Sequence, residues 1–208
     1  TLLDSTPAHL YAWKRALSEA NIIRSDTEIL SFFGKPTKVI AEILLNNAGI
    51  DSNFSQQIAM NKTKYFVESI PTIPLFDDVR EILNFLHENG YKICFASANF
   101  NFILEKMMDV FGWHNLSVGF VGVDDVKHSK PDPEMIYLAM NKMGTSPEET
   151  AVIGDSEYDI LAGKAAKAMT VAVCTKHEPQ VFLNLQSDII VQEIGDLREY
   201  LPLQRNLV

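Results

Sequence analysis

The 208 residues contain no apolar run approaching the roughly 18 that a membrane helix needs, and no charged-then-apolar leader. A soluble, cytoplasmic protein with no membrane partner is the expectation. Cysteine is nearly missing: Cys94 in YKICFAS and Cys174 in TVAVCT each lie inside a short apolar run that reads as a buried strand. Two such residues suggest inert core thiols in a reducing cytosol. Basic charge is scarce as well. The chain has 18 Lys and Arg against 27 Asp and Glu, a formal net charge of −9, and nothing resembling the Lys/Arg cluster that binding a phosphate backbone demands. Nucleic acid is therefore not an expected partner. Internal repeats and low-complexity tracts are also missing.

What is present is an ordinary globular composition, 47% hydrophobic and 22% charged, enough for a real core in one or two domains. From Pro7 to about Glu68 the apolar spacing is helical. Leu10, Trp13 and Leu17 fall three to four residues apart, as do Val39, Ile43 and Leu44, with Phe54, Ile58 and Tyr65 following more loosely. Ser5 or Thr6 is expected to cap the first helix, with Pro7 in its first turn, where a missing N–H costs nothing. Gly34, Pro36 and Gly49 punctuate the remainder. The stretch SIPTIPLF, residues 69–76, carries two prolines, reads as non-helical and marks a domain junction.

Beyond the junction the texture alternates. Val79, Ile82, Leu83 and Leu86 outline a helix stopped by Gly90, and YKICFAS (91–97) reads as a fully buried strand. A helix near 102–111, a strand at VGFVGV (118–123), a helix from Pro133 to Met143 and a strand at TAVIGD (150–155) repeat the rhythm. A helix over about 157–167, a strand at MTVAVCT (169–175), a helix near 178–185 and a strand at DIIVQ (188–192) complete it. Such alternation predicts an α/β fold with a Rossmann-like parallel sheet and helices on both faces.

In open parallel sheets ligands bind beyond the carboxyl ends of the strands, so polar residues there are the candidates for chemistry. Ser97 ends the first strand in FASAN, with Ala98 and Asn99 beside it; Asp124 and Asp125 end the second; Asp155 ends the third in VIGDSEYD. Asp159 follows Asp155 by four residues, in the first turn of the next helix, so the two carboxylates can share a face. Two readings stand side by side: a helix start that favours negative charge, and a metal site. Mg²⁺ takes oxygen ligands, usually one or two carboxylates plus waters and substrate phosphate oxygens, and a strand-end Asp suits it. Lys130 precedes Pro131, which forces extended backbone on it, and a lysine so presented beside acidic strand ends would suit a phosphate.

Taken in order, Ser97, then Lys130 in KPDP, then GDSEYD resemble the haloacid dehalogenase superfamily of aspartate-dependent phosphatases. The opening TLLDS is similar to the tail of that family's first motif, DxDGTLxDS. FFGKPTKVI and its surroundings resemble the family's all-helical cap, and IPLFDDVREILNFLHENGYKICFAS its return into the core, with Asp77 and Asp78 standing where Pro-Gly is usual. The resemblance implies a helical cap over 6–76 and an α/β core over 77–208, with 1–5 as the tail of the first core motif. It also implies that an aspartate attacks the phosphoryl group while a second protonates the leaving oxygen. Ser97, with Ala98 and Asn99, would bind the phosphoryl oxygens, Lys130 would neutralise charge, Asp155 would ligate Mg²⁺ and Asp159 would support that loop. Lys35 and Thr37 in GKPT are the candidate cap residues for substrate; a plain helix N-terminus is the other account of them.

Both catalytic aspartates of the first motif precede TLLDS in the family, so the 208 residues as they stand are expected not to turn over phosphate esters. The natural protein is expected to extend by about ten or more residues upstream, one buried strand plus the motif. The implied activity is hydrolysis of a small phosphorylated metabolite, phosphoglycolate phosphatase-like, by a monomer or homodimer. A β-phosphoglucomutase-like phosphotransferase, a non-catalytic binding member of the fold and, more remotely, a dehalogenase are the alternatives.

Overall fold

The computed structural model describes residues 1–33, 35–175 and 177–200. The chain forms two compact units, Asp4–Pro74 and Thr1–Leu3 with Leu75–Val208. No helix among the described residues is long and apolar enough to cross a membrane.

The first unit is helical: α1 (Thr6–Ser18), α2 (Asp26–Leu30), α3 (Thr37–Asn46) and α4 (Ser55–Ser69). Ala12, Trp13, Ala16 and Leu17 of α1 are buried, as are Ile58, Ala59, Tyr65 and Phe66 of α4, the helix against which α1 packs. Ser5 is the N-cap of α1 but makes no side-chain cap bond, because its backbone angles (φ −86°, ψ −7°) are already helical and a capping hydroxyl needs an extended N-cap residue. Ser25, which is extended, does cap α2 by accepting from Glu28 N at 3.2 Å. In α3 the buried stripe is Ile40, Ala41, Leu44 and Leu45, so the face is turned from the expected one and Val39 is 38% exposed; Phe54 is 59% exposed. Within SIPTIPLF the chain makes a 3-10 turn at Ile70–Thr72, with Pro71 in its first turn, where a missing amide costs nothing.

Lys62 of α4 is 6% exposed. Its Nζ lies 3.0 Å from His9 Nδ1, 5.0 Å from the centre of the Phe66 ring and 5.8 Å from that of Trp13. Burial pushes its ammonium down to about 8 from the ordinary 10.5. The unfolded chain therefore binds the proton more tightly, and the destabilising contribution of Lys62 is full below about pH 8 and fades as pH rises to 10.5. Lys62→Met should raise stability at pH 7 by roughly 1–3 kcal/mol, with the gain shrinking towards pH 10.5. Urea melts of parent and variant at both pH values check this, and a gain independent of pH would refute it.

The second unit carries β1 (Cys94–Ala96), β2 (Gly119–Val121), β3 (Ala151–Gly154), β4 (Met169–Val173) and β5 (Ile189–Val191). Among the described strands β1 to β5 the pairings are parallel, in two sheets ordered β1-β2 and β3-β4-β5. The helices are α5 (Val79–Glu88), α6 (Asn101–Phe111), α7 (Glu134–Met143), α8 (Glu157–Ala165) and α9 (Pro179–Asn184). Side chains along each strand alternate between faces, and the clusters sort accordingly. Phe95, Phe120, Ile153, Val171 and Val173 pack with Val79, Ile82 and Leu83 of α5 and with Met108 of α6. Ala96, Val121, Val152 and Ala172 face the opposite layer, built from α7, α8 and α9. The cysteines are less buried than their apolar surroundings suggest: Cys94 is half-buried in β1, and Cys174 falls just past the end of β4. Asp78 stands at the N-cap position of α5 without a side-chain cap bond, with φ +63°, a left-handed conformation that Asp tolerates better than most residues and that glycine adopts freely. Leu3 bridges Leu75, and Phe76 N donates to Leu2 O at 3.1 Å, which ties the opening residues into this unit.

Candidate active site

The carboxyl ends of β1, β2 and β3 supply the site. One residue past β1, Ser97 N donates to Val121 O at 3.0 Å and continues the ladder to β2. Ser97 Oγ accepts from Asn99 N and from Asn99 Nδ2, each at 3.2 Å. Both bonds use its lone pairs, so the hydroxyl proton is the group's remaining donor, the part a phosphoryl oxygen would take. Ala98 at the tip of this turn is exposed.

Lys130, in the segment between β2 and α7, reaches back across these ends. Its Nζ donates to Ala96 O at 3.1 Å and to Asp159 Oδ1 at 2.6 Å, with side chains 12% and 13% exposed. Little water screens such a pair, which strengthens its field on anything bound beside it. Asp159 is the third residue of α8 and closes a capping box: Ser156 Oγ accepts from Asp159 N at 3.3 Å, and Asp159 Oδ2 accepts from Ser156 N at 3.2 Å and from its hydroxyl at 2.6 Å. One oxygen thus starts a helix while the other holds Lys130. Gly154 makes room for this, since a Cβ there would fall on the Asp159 side chain, 2.6 Å from Oδ2. Gly154→Ala should therefore displace Asp159, release Lys130 and lower turnover by about tenfold or more. Rate assays alongside thermal melts check it; full activity in a folded variant would show that the close approach is idle.

Asp155 directly follows β3 and is 6% exposed. Its Oδ1 accepts from Thr1 Oγ1 at 2.6 Å and lies 3.0 Å from Thr1 N, while Oδ2 accepts from Thr175 Oγ1 at 3.3 Å. Thr175 escaped notice in the sequence, although the signal was the same one: a polar residue just beyond the end of a strand, here β4. The oxygen groups around Asp155, its own carboxylate and the hydroxyls of Thr1 and Thr175, suit a hard ion such as Mg²⁺. Among the described residues, the groups of three side chains that could share one ion are Glu105, Asp109 and His114, and His128, Asp132 and Glu134. Asp155 is in neither group. Its carboxylate could serve as one of the one or two that Mg²⁺ usually takes beside water and phosphate oxygens.

Lys35 and Thr37 lie in the helical unit. Lys35 is exposed, and Thr37 is the half-buried first residue of α3, following Pro36 at the N-cap. A groove of about 600 Å³ on that unit is lined by Pro7, Leu10, Tyr11, Leu17, Ile22 and Ile23 among others, and neither residue lines it.

Comparison with known proteins places the chain in a family. The pyrophosphatase PpaX of Oceanobacillus iheyensis is 25% identical over 198 residues, covering 95% of this chain and 90% of that one. The protein of the same name from Halalkalibacterium halodurans is 36% identical over 98 residues, 47% of this chain and 46% of its own. A structure described as a predicted phosphoglycolate phosphatase from Haemophilus somnus superposes with a TM-score of 0.85 at 20% identity, covering 96% of this chain and 93% of that chain, and shares its fold. The haloacid dehalogenase-like hydrolase family matches residues 1–173, and the chain belongs to that family.

Proposed function

We propose that the protein, when it carries the first-motif aspartates ahead of Thr1, is a Mg²⁺-dependent phosphatase that hydrolyses a small phosphorylated metabolite through an aspartyl-phosphate. The observation that carries the reading is the reach of Lys130 Nζ to both Ala96 O and Asp159 Oδ1, which gathers three strand-end segments around one ammonium. In phosphoryl transfer the protein chiefly positions groups and neutralises charge. Ser97 would donate its hydroxyl proton to a phosphoryl oxygen, and Lys130 would offset the charge gathering on the phosphoryl group and on the attacking carboxylate. Asp159 orients Lys130. Asp155 would hold the Mg²⁺, which when bound neutralises phosphate charge. The nucleophile is the first-motif aspartate, which in the family's pattern precedes TLLDS.

The relatives named pyrophosphatase make inorganic pyrophosphate the first substrate to try, with phosphoglycolate second. The test is phosphate release from these and from a generic aryl phosphate by protein carrying the first-motif aspartates ahead of Thr1. Mg²⁺ should be required and EDTA should stop the reaction. Halide release from a haloacid without metal, or no turnover of any phosphate ester, would refute the reading.

A further inference from the structure

Helix α6 begins without a cap of its own. Its N-cap residue, Phe100, offers no side-chain acceptor, and Asn101 N is received by Asp124 Oδ2 at 2.9 Å, from the turn after β2. The neighbouring Asp125 divides its carboxylate between two donors: Oδ2 accepts from Gly122 N at 2.9 Å and Oδ1 from Asn101 Nδ2 at 2.9 Å. These bonds hold the Asp125 carboxyl below its ordinary range. Val123 N also donates to Asn99 O at 3.1 Å, and Asn99 is the residue whose amide and side chain both bind Ser97 Oγ. The Ser97 loop is thus tied at Asn99 and twice at Asn101 to the segment that runs on to Lys130.

The fit is close. A Cβ on Gly122 would fall on the Asn101 amide oxygen and 2.9 Å from Asn99 O. That amide oxygen is buried and has no hydrogen-bond partner among the described residues, an arrangement that opposes stability. Its orientation follows from the amide nitrogen, which faces Asp125. A serine or aspartate at the N-cap would cap α6 locally and leave nothing unpaired. The cross-loop version does what a local cap cannot, which is to fix one loop against another.

We infer that Asp125 and Asn101 are positioning residues for the reaction, setting the Ser97 hydroxyl relative to Lys130, whose Nζ is bound to the carbonyl one residue before Ser97. The inference rests on the phosphatase reading. Displacement of a phosphoryl-binding group by about an ångström costs up to roughly 10²-fold in rate.

The experiment compares the parent, carrying the first-motif aspartates ahead of Thr1, with Asp125→Asn, Asn101→Asp and the exchanged double variant in the same background. In the exchanged pair the amide at position 125 can still accept from Gly122 N and donate to the carboxylate at position 101, so the clamp is rebuilt with its polarity reversed. Each single variant should lose about tenfold or more in kcat per folded molecule with KM within about threefold, and should exchange amide hydrogens faster over 97–101 but not in β3 or β4. The double variant should recover most of both. Parent exchange rates over 97–101 in the single variants, or parent kcat per folded molecule, would overturn the inference. An inactive parent overturns the phosphatase reading and this inference together; a parent that is active, silenced by Lys130→Ala and indifferent to Asp125→Asn overturns this inference alone.

Discussion

Lys130→Ala is expected to lower Mg²⁺-dependent phosphate release by roughly 10²–10³-fold, the usual consequence of removing one charged stabiliser from a phosphoryl-transfer site. The side chain is nearly buried and spends its protons on Ala96 O and Asp159 Oδ1, so truncation removes both the charge and the link between β1 and α8. Asp159 keeps its bonds to Ser156, and the start of α8 should survive. The loss should therefore appear in kcat of a protein that still folds, with a stability decrease of about 1–3 kcal/mol from the carboxylate left behind. Lys130→Arg should not restore the rate, because a planar fork cannot occupy the space of a compact ammonium. Turnover measured at saturating Mg²⁺, with circular dichroism to count folded molecules, decides the matter. A parent-like rate in Lys130→Ala would remove this residue from the reaction.

Asp155→Asn should be as severe for a different reason. The substitution keeps volume and shape, and the hydroxyls of Thr1 and Thr175 can each turn from donor to acceptor, so packing at the end of β3 is preserved. What is lost is a charged oxygen donor at the end of this strand. Activity should fall by about 10²-fold or more, and the Mg²⁺ concentration needed for half-maximal rate should rise. Stability should hold or improve, because a buried carboxylate has been replaced by a neutral amide. A magnesium titration separates these outcomes; an unchanged titration midpoint with parent activity would show that Asp155 does not carry the ion.

The two units differed in how legible they were. The α/β alternation was plain in the sequence, since strands such as MTVAV are short, mostly apolar runs and the helices between them keep a helical period. Strand ends proved shorter than those runs: β1 covers Cys94–Ala96 inside YKICFAS, because ladder pairing ends before the apolar composition does. In the helical unit, composition misled at the margins. Val39 and Phe54 are apolar yet exposed, and Ser5 occupies a capping position without capping, because face and cap geometry depend on backbone angles that residue type does not dictate. Asn101 and Asp125 carried no signal as a pair; Asp125 was visible only as a strand-end acid, and its partner sits 24 residues away.

By itself the sequence determined the order and kind of the elements and the placement of Ser97, Lys130 and Asp155 at or beyond strand ends, because hydrophobic period and turn chemistry act over a few residues. Tertiary structure alone decided what each side chain touches. Lys130 and Asp159 are 29 residues apart in the chain and 2.6 Å apart in space, and whether Asp159 serves as ligand, cap or counter-ion followed only from which groups the fold brought to its two oxygens. Local propensity has no reach over such separations; parallel pairing of β1 with β2, and packing of α7 and α8 on the sheet, are what bring the groups together.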